Sequence, residues 1–466
     1  MKLLGMVGLV ALAACTGSGS DQTSTTEPTP TTTTAIRMST TVEPAPQSTY
    51  PAPPSVPDGP LDPATAESVG RLLENLFEVG WDVTAATDVA SQGDARAAWL
   101  IADLLRFYQA GPGRDELLAA FTDLTGAEPD PDQVDFVWAM NHLIAWDLPA
   151  WEGYADVKER VYAMIEPTWQ PFFDEDHGVD WRLVTWGGVL ADTRELGDNS
   201  LCNCIPSLDY PTTTDAAGGD WYPDDGIVFG VVVDGDAIAL PKNQMEIHEM
   251  VNLTLGGREL GIPYCTLCGS AQAYFVDDVP GLDRVVLRTS GLLSRSNKLM
   301  YDLTTHSAID TFTGRALTGP LGADGVVLEQ VSVVASTWRD WKQAHPDTRI
   351  IAQDGGIGRT YDADPLAGRD AFGPIFPIGD VDPRLPVQEK VVGVVTTDGT
   401  PIAFPVAATK DALANGEIEY EGLTVQLEES IRVYGSDGEE LISHEAFWFA
   451  WSQFHEGTLV WSPFGG

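Results

Sequence analysis

Two cysteines three apart, Cys265 and Cys268, sit in the run Tyr264-Cys265-Thr266-Leu267-Cys268-Gly269, where a β-branched stretch ends in a turn. That spacing lets two sulfurs point at one centre. It resembles half of a zinc knuckle, but structural zinc usually takes four ligands, and the nearest other pair, Cys202-Asn203-Cys204, has the wrong spacing. A thioredoxin-type Cys-x-x-Cys opens a helix, whereas strand-forming residues surround this one. His248, in Glu246-Ile247-His248-Glu249-Met250, and Met300, in Leu299-Met300-Tyr301-Asp302, add an imidazole and a thioether. Thiolate, imidazole and thioether donors suit copper or zinc rather than calcium or magnesium. The expectation is a transition metal held by His248, Cys265 and Cys268, with Cys204 and Met300 as additional candidate ligands, or thiol redox chemistry at the same cysteines. The plainer alternative is one or two structural disulfides among Cys202, Cys204, Cys265 and Cys268.

The remaining motifs exclude more than they assign. His345 and His455 recur beside matching tryptophans, which points to a hydrogen-bonded structural role at a helix end, and His142, His177, His306 and His444 are isolated. The sequence contains no nucleophile elbow, phosphate-binding loop, His-Glu-x-x-His or dinucleotide fingerprint. With 69 acidic against 26 basic residues the net charge is −43, which repels phosphate backbones and excludes nucleic acid as the partner.

The elements that must position these residues follow from the pattern along 466 residues, too many for one ordinary core. Met1 to Cys15 combines Lys2, an apolar run from Leu3 to Leu12, and Leu12-Ala13-Ala14-Cys15: a signal peptide ending in a lipobox. Cleavage before Cys15 and acylation there, with palmitate-type chains, would anchor the exported chain to the membrane, each buried methylene contributing roughly 0.8 kcal/mol. Residues 16–57 are Thr, Ser, Pro and Glu with little to bury and read as a disordered tether. From 58 to 175 apolar residues fall at helical spacing, as in Leu72, Leu73, Leu76 and in Trp99, Leu100, Leu104, Leu105, which predicts an all-α, helical-repeat-like domain able to meet protein partners. Trp138, Trp146, Trp151 and Trp169 are read as its core.

From 181 to 466 the pattern becomes short β-branched runs closed by Asp234-Gly235 and Gly256-Gly257, dipeptides that favour two-residue hairpin turns. Gly230-Val231-Val232 through Asp234-Gly235 to Ile238-Ala239-Leu240-Pro241 returns as Gly393-Val394-Val395 through Asp398-Gly399 to Ile402-Ala403-Phe404-Pro405. Trp338, Trp341, His345 and Thr348 return as Trp448, Trp451, His455 and Thr458. The expected fold class is therefore α+β: an N-terminal helical domain, then a mainly β domain with internal duplication, copies at about 225–350 and 390–466. The first copy is longer, and its excess holds the Cys-x-x-Cys.

Trp186-Gly187-Gly188-Val189, Cys204-Ile205-Pro206-Ser207-Leu208-Asp209, His248-Glu249-Met250-Val251-Asn252, Tyr264-Cys265-Thr266-Leu267-Cys268-Gly269, Ser290-Gly291-Leu292-Leu293, Leu299-Met300-Tyr301-Asp302 and Phe447-Trp448-Phe449-Ala450-Trp451 occur in order. Together they resemble the signatures of the domain of unknown function 3179 family, from about Trp181 to the C-terminus. Ile247 and Leu253 stand where that family usually has tryptophan and aspartate, and the family usually has a tryptophan near Ile309. The resemblance implies an exported, often lipid-anchored domain behind a helical segment, with no established reaction, and marks His248, Cys265 and Cys268 as residues to test. The functional expectation is a cell-envelope lipoprotein with a metal-binding or thiol-redox domain. A non-enzymatic surface module stapled by disulfides is the alternative.

Overall fold

The computed structural model describes residues 50–463, except 79–81, 83 and 174–177. Cys15, the leader and most of the expected tether lie outside the described residues, as does His177. Among the described residues no helix is long and apolar enough to cross a membrane.

Seven helices come first: α1 (Pro63–Glu74), α2 (Ala85–Ser91), α3 (Ala98–Phe107), α4 (Pro112–Thr125), α5 (Asp135–Ala145), α6 (Tyr154–Ile165) and α7 (Gln170–Phe173). Asp62 caps α1 by accepting from the Ala64 and Thr65 amides, and Pro63 occupies the first turn, where its missing N–H costs nothing. Trp138, Trp151 and Trp169 are buried and Trp146 is half-buried, its indole donating to Pro51 O at 2.7 Å.

The β region comprises five sheets, the blades of a five-bladed β-propeller. In the first the order is β1 (Val184–Trp186), β10 (Leu287–Ser294), β11 (Asn297–Asp302), β12 (Ala308–Asp310). The second runs β13 (Gln330–Val331), β9 (Ala273–Phe275), β7 (Arg258–Cys265), β6 (Met250–Leu255), β2 (Leu208–Asp209), with β8 (Ser270–Ala271) paired to β7. The third runs β14 (Val334–Thr337), β4 (Ile227–Val233), β5 (Asp236–Pro241), β15 (Arg349–Ile351), β3 (Thr213–Asp215). The fourth is β21 (Ser443–Phe447), β16 (Lys390–Val395), β17 (Pro401–Pro405), β22 (Leu459–Val460), and the fifth β18 (Ile418–Tyr420), β19 (Leu423–Leu427), β20 (Ile431–Tyr434). Short helices α8 (Lys242–His248), α9 (Gly319–Ala323), α10 (Trp338–Ala344), α11 (Val406–Leu413) and α12 (Trp448–Phe454) connect them.

The expected fold class, a helical-repeat domain ahead of a β domain of two repeated halves, is corrected here. Helix makes up only 29% of the structure, and the helices do not close a core of their own. Leu72, Trp99, Leu105, Phe121 and Trp169 share one apolar cluster with Val184, Leu292, Leu299, Tyr301 and Ala308 of the first sheet. Polar contacts follow the same seam: Arg106 Nε donates to Trp186 O at 2.7 Å, Lys158 Nζ to Val184 O at 2.6 Å and Trp169 Nε1 to Ser290 O at 2.7 Å. A helical apolar stripe shows that a face is buried but not against what, and here the partner is a sheet.

The repeated sequence stretches fall on two of the five blades rather than on two halves. Hairpin β4/β5 carries β14 antiparallel on one side and β15 parallel on the other; hairpin β16/β17 carries β21 and β22 the same way. In each, a tryptophan ring lies across a strand glycine, Trp341 over Gly230 and Trp451 over Gly393, so close that an added Cβ would meet a ring carbon at 2.1 Å. Each indole donates to a threonine hydroxyl at 2.9 Å, Trp341 to Thr348 and Trp451 to Thr458. His345 and His455 close the helices, their amides donating to Trp341 O and Trp451 O.

Candidate functional site

Cys265 is the last residue of β7 and Cys268 returns the chain toward β8. The Cys268 amide donates to Cys265 O at 3.2 Å, which closes a β-turn across the pair, and Tyr264 and Cys265 pair with Ala271 and Ser270. Both thiols are buried and free. Above them lies the β10/β11 turn: Ser296 O is 3.9 Å from Cys265 Sγ and 3.5 Å from Cys268 Sγ, and Asn297 Oδ1 is 3.5 Å from Cys268 Sγ.

Lys298, the next residue, places a cation in this interior. Its ammonium pairs with Glu249 Oε2 at 2.6 Å and donates to Glu249 O at 2.7 Å and Tyr264 O at 2.8 Å, while Thr266 Oγ1 donates to Glu249 Oε1 at 2.8 Å. The two thiols are driven apart. Burial pushes the Cys265 thiol up, but the neighbouring Cys268 thiol and the Lys298 ammonium outweigh it and hold Cys265 below its ordinary value. Burial and the adjacent Cys265 sulfur push Cys268 well above its own.

The other candidates lie elsewhere. His248, the last residue of α8, spends both ring nitrogens: Nδ1 lies 2.7 Å from Pro206 O and Nε2 2.7 Å from Tyr361 OH, the pattern of a neutral imidazole donating to the carbonyl and accepting from the phenol. Burial lowers its pKa to about 4. Met300 packs with Met250, Tyr274, Leu287 and Ile309, in a different apolar cluster from the one that holds Cys265 and Cys268. The structure therefore brings Cys265 and Cys268 together and does not bring His248 or Met300 to them.

Cys202 and Cys204 form a disulfide. Asp192 is close to both sulfurs, the one group of three such side chains gathered tightly enough for an ion among the described residues. Bonded sulfurs supply no thiolate, however, and Asp192 is already bound: Arg194 donates to both its oxygens at 2.7 Å and the Ser207 amide to Oδ2 at 2.9 Å. These bonds and the nearby Arg288 overcome burial and lower its pKa. Arg288 in turn makes a two-pronged contact with buried Asp209 at 3.0 and 2.7 Å, which ties the disulfide loop into the core.

Residues 202–432 match the family described as a protein of unknown function (DUF3179). The chain carries a DUF3179 domain. No curated protein and no solved structure matches it. The DUF3179 match begins at the disulfide and includes the dithiol, Lys298 and Glu249, whereas Trp186 and the Phe447–Trp451 run lie outside it. In the sequence Glu249 stands out only as part of a motif, and nothing in its spacing marks Lys298 as functional. Its signal was a lone cation inside Asn297-Lys298-Leu299-Met300-Tyr301-Asp302, a strand buried at every position.

Proposed function

We propose that the DUF3179 domain is a thiol-disulfide redox centre working through Cys265 and Cys268, in an exported lipoprotein held to the membrane by acyl chains on Cys15. The observation that carries this reading is a pair of free thiols in one hydrogen-bonded β-turn, the first acidified beside a buried lysine. Such a turn keeps its end Cα atoms within about 7 Å, and a disulfide spans roughly 4.4–6.8 Å between them, so the pair can oxidise without unwinding β7. The address rests on the leader Met1 to Cys15 and the Thr/Pro-rich stretch behind it.

The chemistry balances as an exchange. The Cys265 thiolate attacks one sulfur of an acceptor disulfide, breaking its S–S bond and releasing the first acceptor thiolate. The Cys268 thiolate then attacks Cys265 Sγ of the mixed disulfide and releases the second. The two protein protons end on the two released thiols, and two electrons pass from the protein pair to the acceptor. Lys298 favours the first step by stabilising the attacking thiolate.

A second reading has one observation behind it. Ser296 O and Asn297 Oδ1 converge with the two sulfurs, a donor set that two thiolates and two oxygens would offer to copper or zinc. One experiment separates the readings: metal content and free-thiol count on the full chain purified without chelator, followed by a redox titration with thiol mass mapping. Reversible loss of two thiols at Cys265 and Cys268 without metal supports the redox centre. Stoichiometric metal that blocks both thiols and is lost in Cys265→Ser supports the metal site. If neither occurs, both readings fail and the domain is an interaction module.

A further inference from the structure

The β10/β11 turn that touches both thiols is built from the wrong residues for its shape. Arg295 and Ser296 both have positive φ, 46° and 67°, in a two-residue turn that favours Asn-Gly. Backbone strain of this kind persists where the surroundings hold it and gathers at working sites. Here its effect is to set Ser296 O on the sulfurs and Arg295 at the wall of a cavity of about 260 Å³.

That cavity is about half apolar, and its charged groups are lopsided. Arg295 lines it, yet its Nε is buried without a hydrogen-bond partner, and its guanidinium makes no ion pair among the described residues. Asp310 and Glu456 line the same space. Asp310 stands opposite Leu299 across β11/β12, and Leu299 lies on the same side of β11 as Asn297, whose amide oxygen meets Cys268. Asp310 Oδ1 is taken by the Phe312 and Thr313 amides. Phe454, also lining the cavity, stacks on Phe312 and packs against the apolar cluster containing both thiols. Phe454 thus belongs both to the cavity wall and to the packing around the dithiol.

Asp180 also lines the cavity but is already bound by Arg182, so among the described residues an unpaired guanidinium faces two available carboxylates, which matches a ligand head with one carboxylate and one ammonium. The small volume holds an amino-acid head rather than a drug-sized molecule. We propose that this cavity is a subsite for the zwitterionic head of an amino-acid disulfide of the cystine class, with Arg295 binding the α-carboxylate and Asp310 and Glu456 receiving the α-ammonium. The proposal rests on the redox reading for what happens next: both thiols are buried and outside the cavity wall, so the β10/β11 turn must open for the far sulfur to reach Cys265.

The test uses the full chain and two probes. L-cystathionine has the same heads joined by a thioether and cannot react, so calorimetry reads the subsite alone. Wild-type protein should bind it, and Arg295→Asn, which suits the positive φ while removing the charge, should weaken binding about tenfold or more. Arg295→Lys should fall between them. No binding to wild type, or equal binding to Arg295→Asn, would overturn the subsite. Separately, L-cystine should close the Cys265–Cys268 bond faster than cystamine, which lacks carboxylates, and Arg295→Asn should erase that preference. Arg295-dependent cystathionine binding with no closure by cystine would instead overturn the redox reading and leave the subsite standing.

Discussion

Replacing Lys298 by methionine removes a positive charge that reaches both the fold and the thiol. The ammonium and the Glu249 carboxylate are nearly buried, 5% and 10% exposed, and the same nitrogen also satisfies Glu249 O and Tyr264 O. Methionine fills similar volume but leaves the buried carboxylate without its counter-charge, with the Thr266 hydroxyl still donating to it, and takes one donor away from Glu249 O and from Tyr264 O. Breaking one side of a buried pair in this way costs about 3–5 kcal/mol, so Lys298→Met should lower the unfolding free energy from urea titration by that amount, and adding Glu249→Gln should recover a good part of it. The chemical readout is independent of the fold. Cys265 is held below its ordinary thiol value by Cys268 and Lys298, so the midpoint of its pH-dependent alkylation by iodoacetamide should rise in Lys298→Met. The sign for stability follows: a depressed thiol pKa contributes stability above the unfolded thiol value, which is lost as pH falls through the depressed folded value. That slope should shrink in the variant. An unchanged alkylation midpoint in folded Lys298→Met would refute the assignment of Lys298 to the thiol, and a loss under about 1 kcal/mol would refute the buried-pair argument.

Ser296→Gly should relieve the left-handed backbone at the turn and raise the unfolding free energy, measured by urea titration, by about 1 kcal/mol. Gly230→Ala and Gly393→Ala should each destabilise by about 1–3 kcal/mol or more, because the new methyl meets a tryptophan ring at 2.1 Å; unfolding curves on both variants check this. His248 is held neutral with a pKa near 4, so protons bind the unfolded chain more readily below the ordinary imidazole value, and stability should fall between pH 6.5 and 4. The share due to this ring is about 3 kcal/mol, and His248→Gln should flatten the profile by that much in pH-dependent unfolding.

What the sequence disclosed was local. Asp234-Gly235 and Gly256-Gly257 mark their hairpins because a two-residue turn with positive φ at both positions leaves few residue choices, and φ there is 49°, 81°, 57° and 79°. The repeated Gly, Trp, His and Thr positions are readable for the same reason: each is fixed by one close contact within its own blade. What stayed hidden was long-range. β1 pairs with β10 more than a hundred residues later, and no periodicity encodes that partner, so the helical stripe looked like a domain of its own. His248 has the same history. Its type fits a metal ligand, but its partners, Pro206 and Tyr361, lie 42 and 113 residues away in sequence and only the fold supplies them.

The place of the dithiol in the fold explains why a redox change there would not stay local. The Phe447 amide, at the end of β21, donates to Cys268 O at 2.7 Å, and the Phe447 ring packs so tightly on Gly269 that an added Cβ would meet it at 2.9 Å. Phe447 leads directly into α12, whose Trp448 and Trp451 are buried in the same cluster as both thiols. On the other side, Lys298 ties Tyr264 and Glu249 together, and Glu249 follows His248, which holds the loop carrying Pro206. The Cys265–Cys268 turn therefore joins the second blade to the fourth through hydrogen bonds and close contacts rather than through loose packing. Close-packed interiors transmit a displacement instead of absorbing it. A turn that only had to staple the chain would need neither the acidified first thiol nor a buried ammonium beside it, and those two features favour chemistry over a staple.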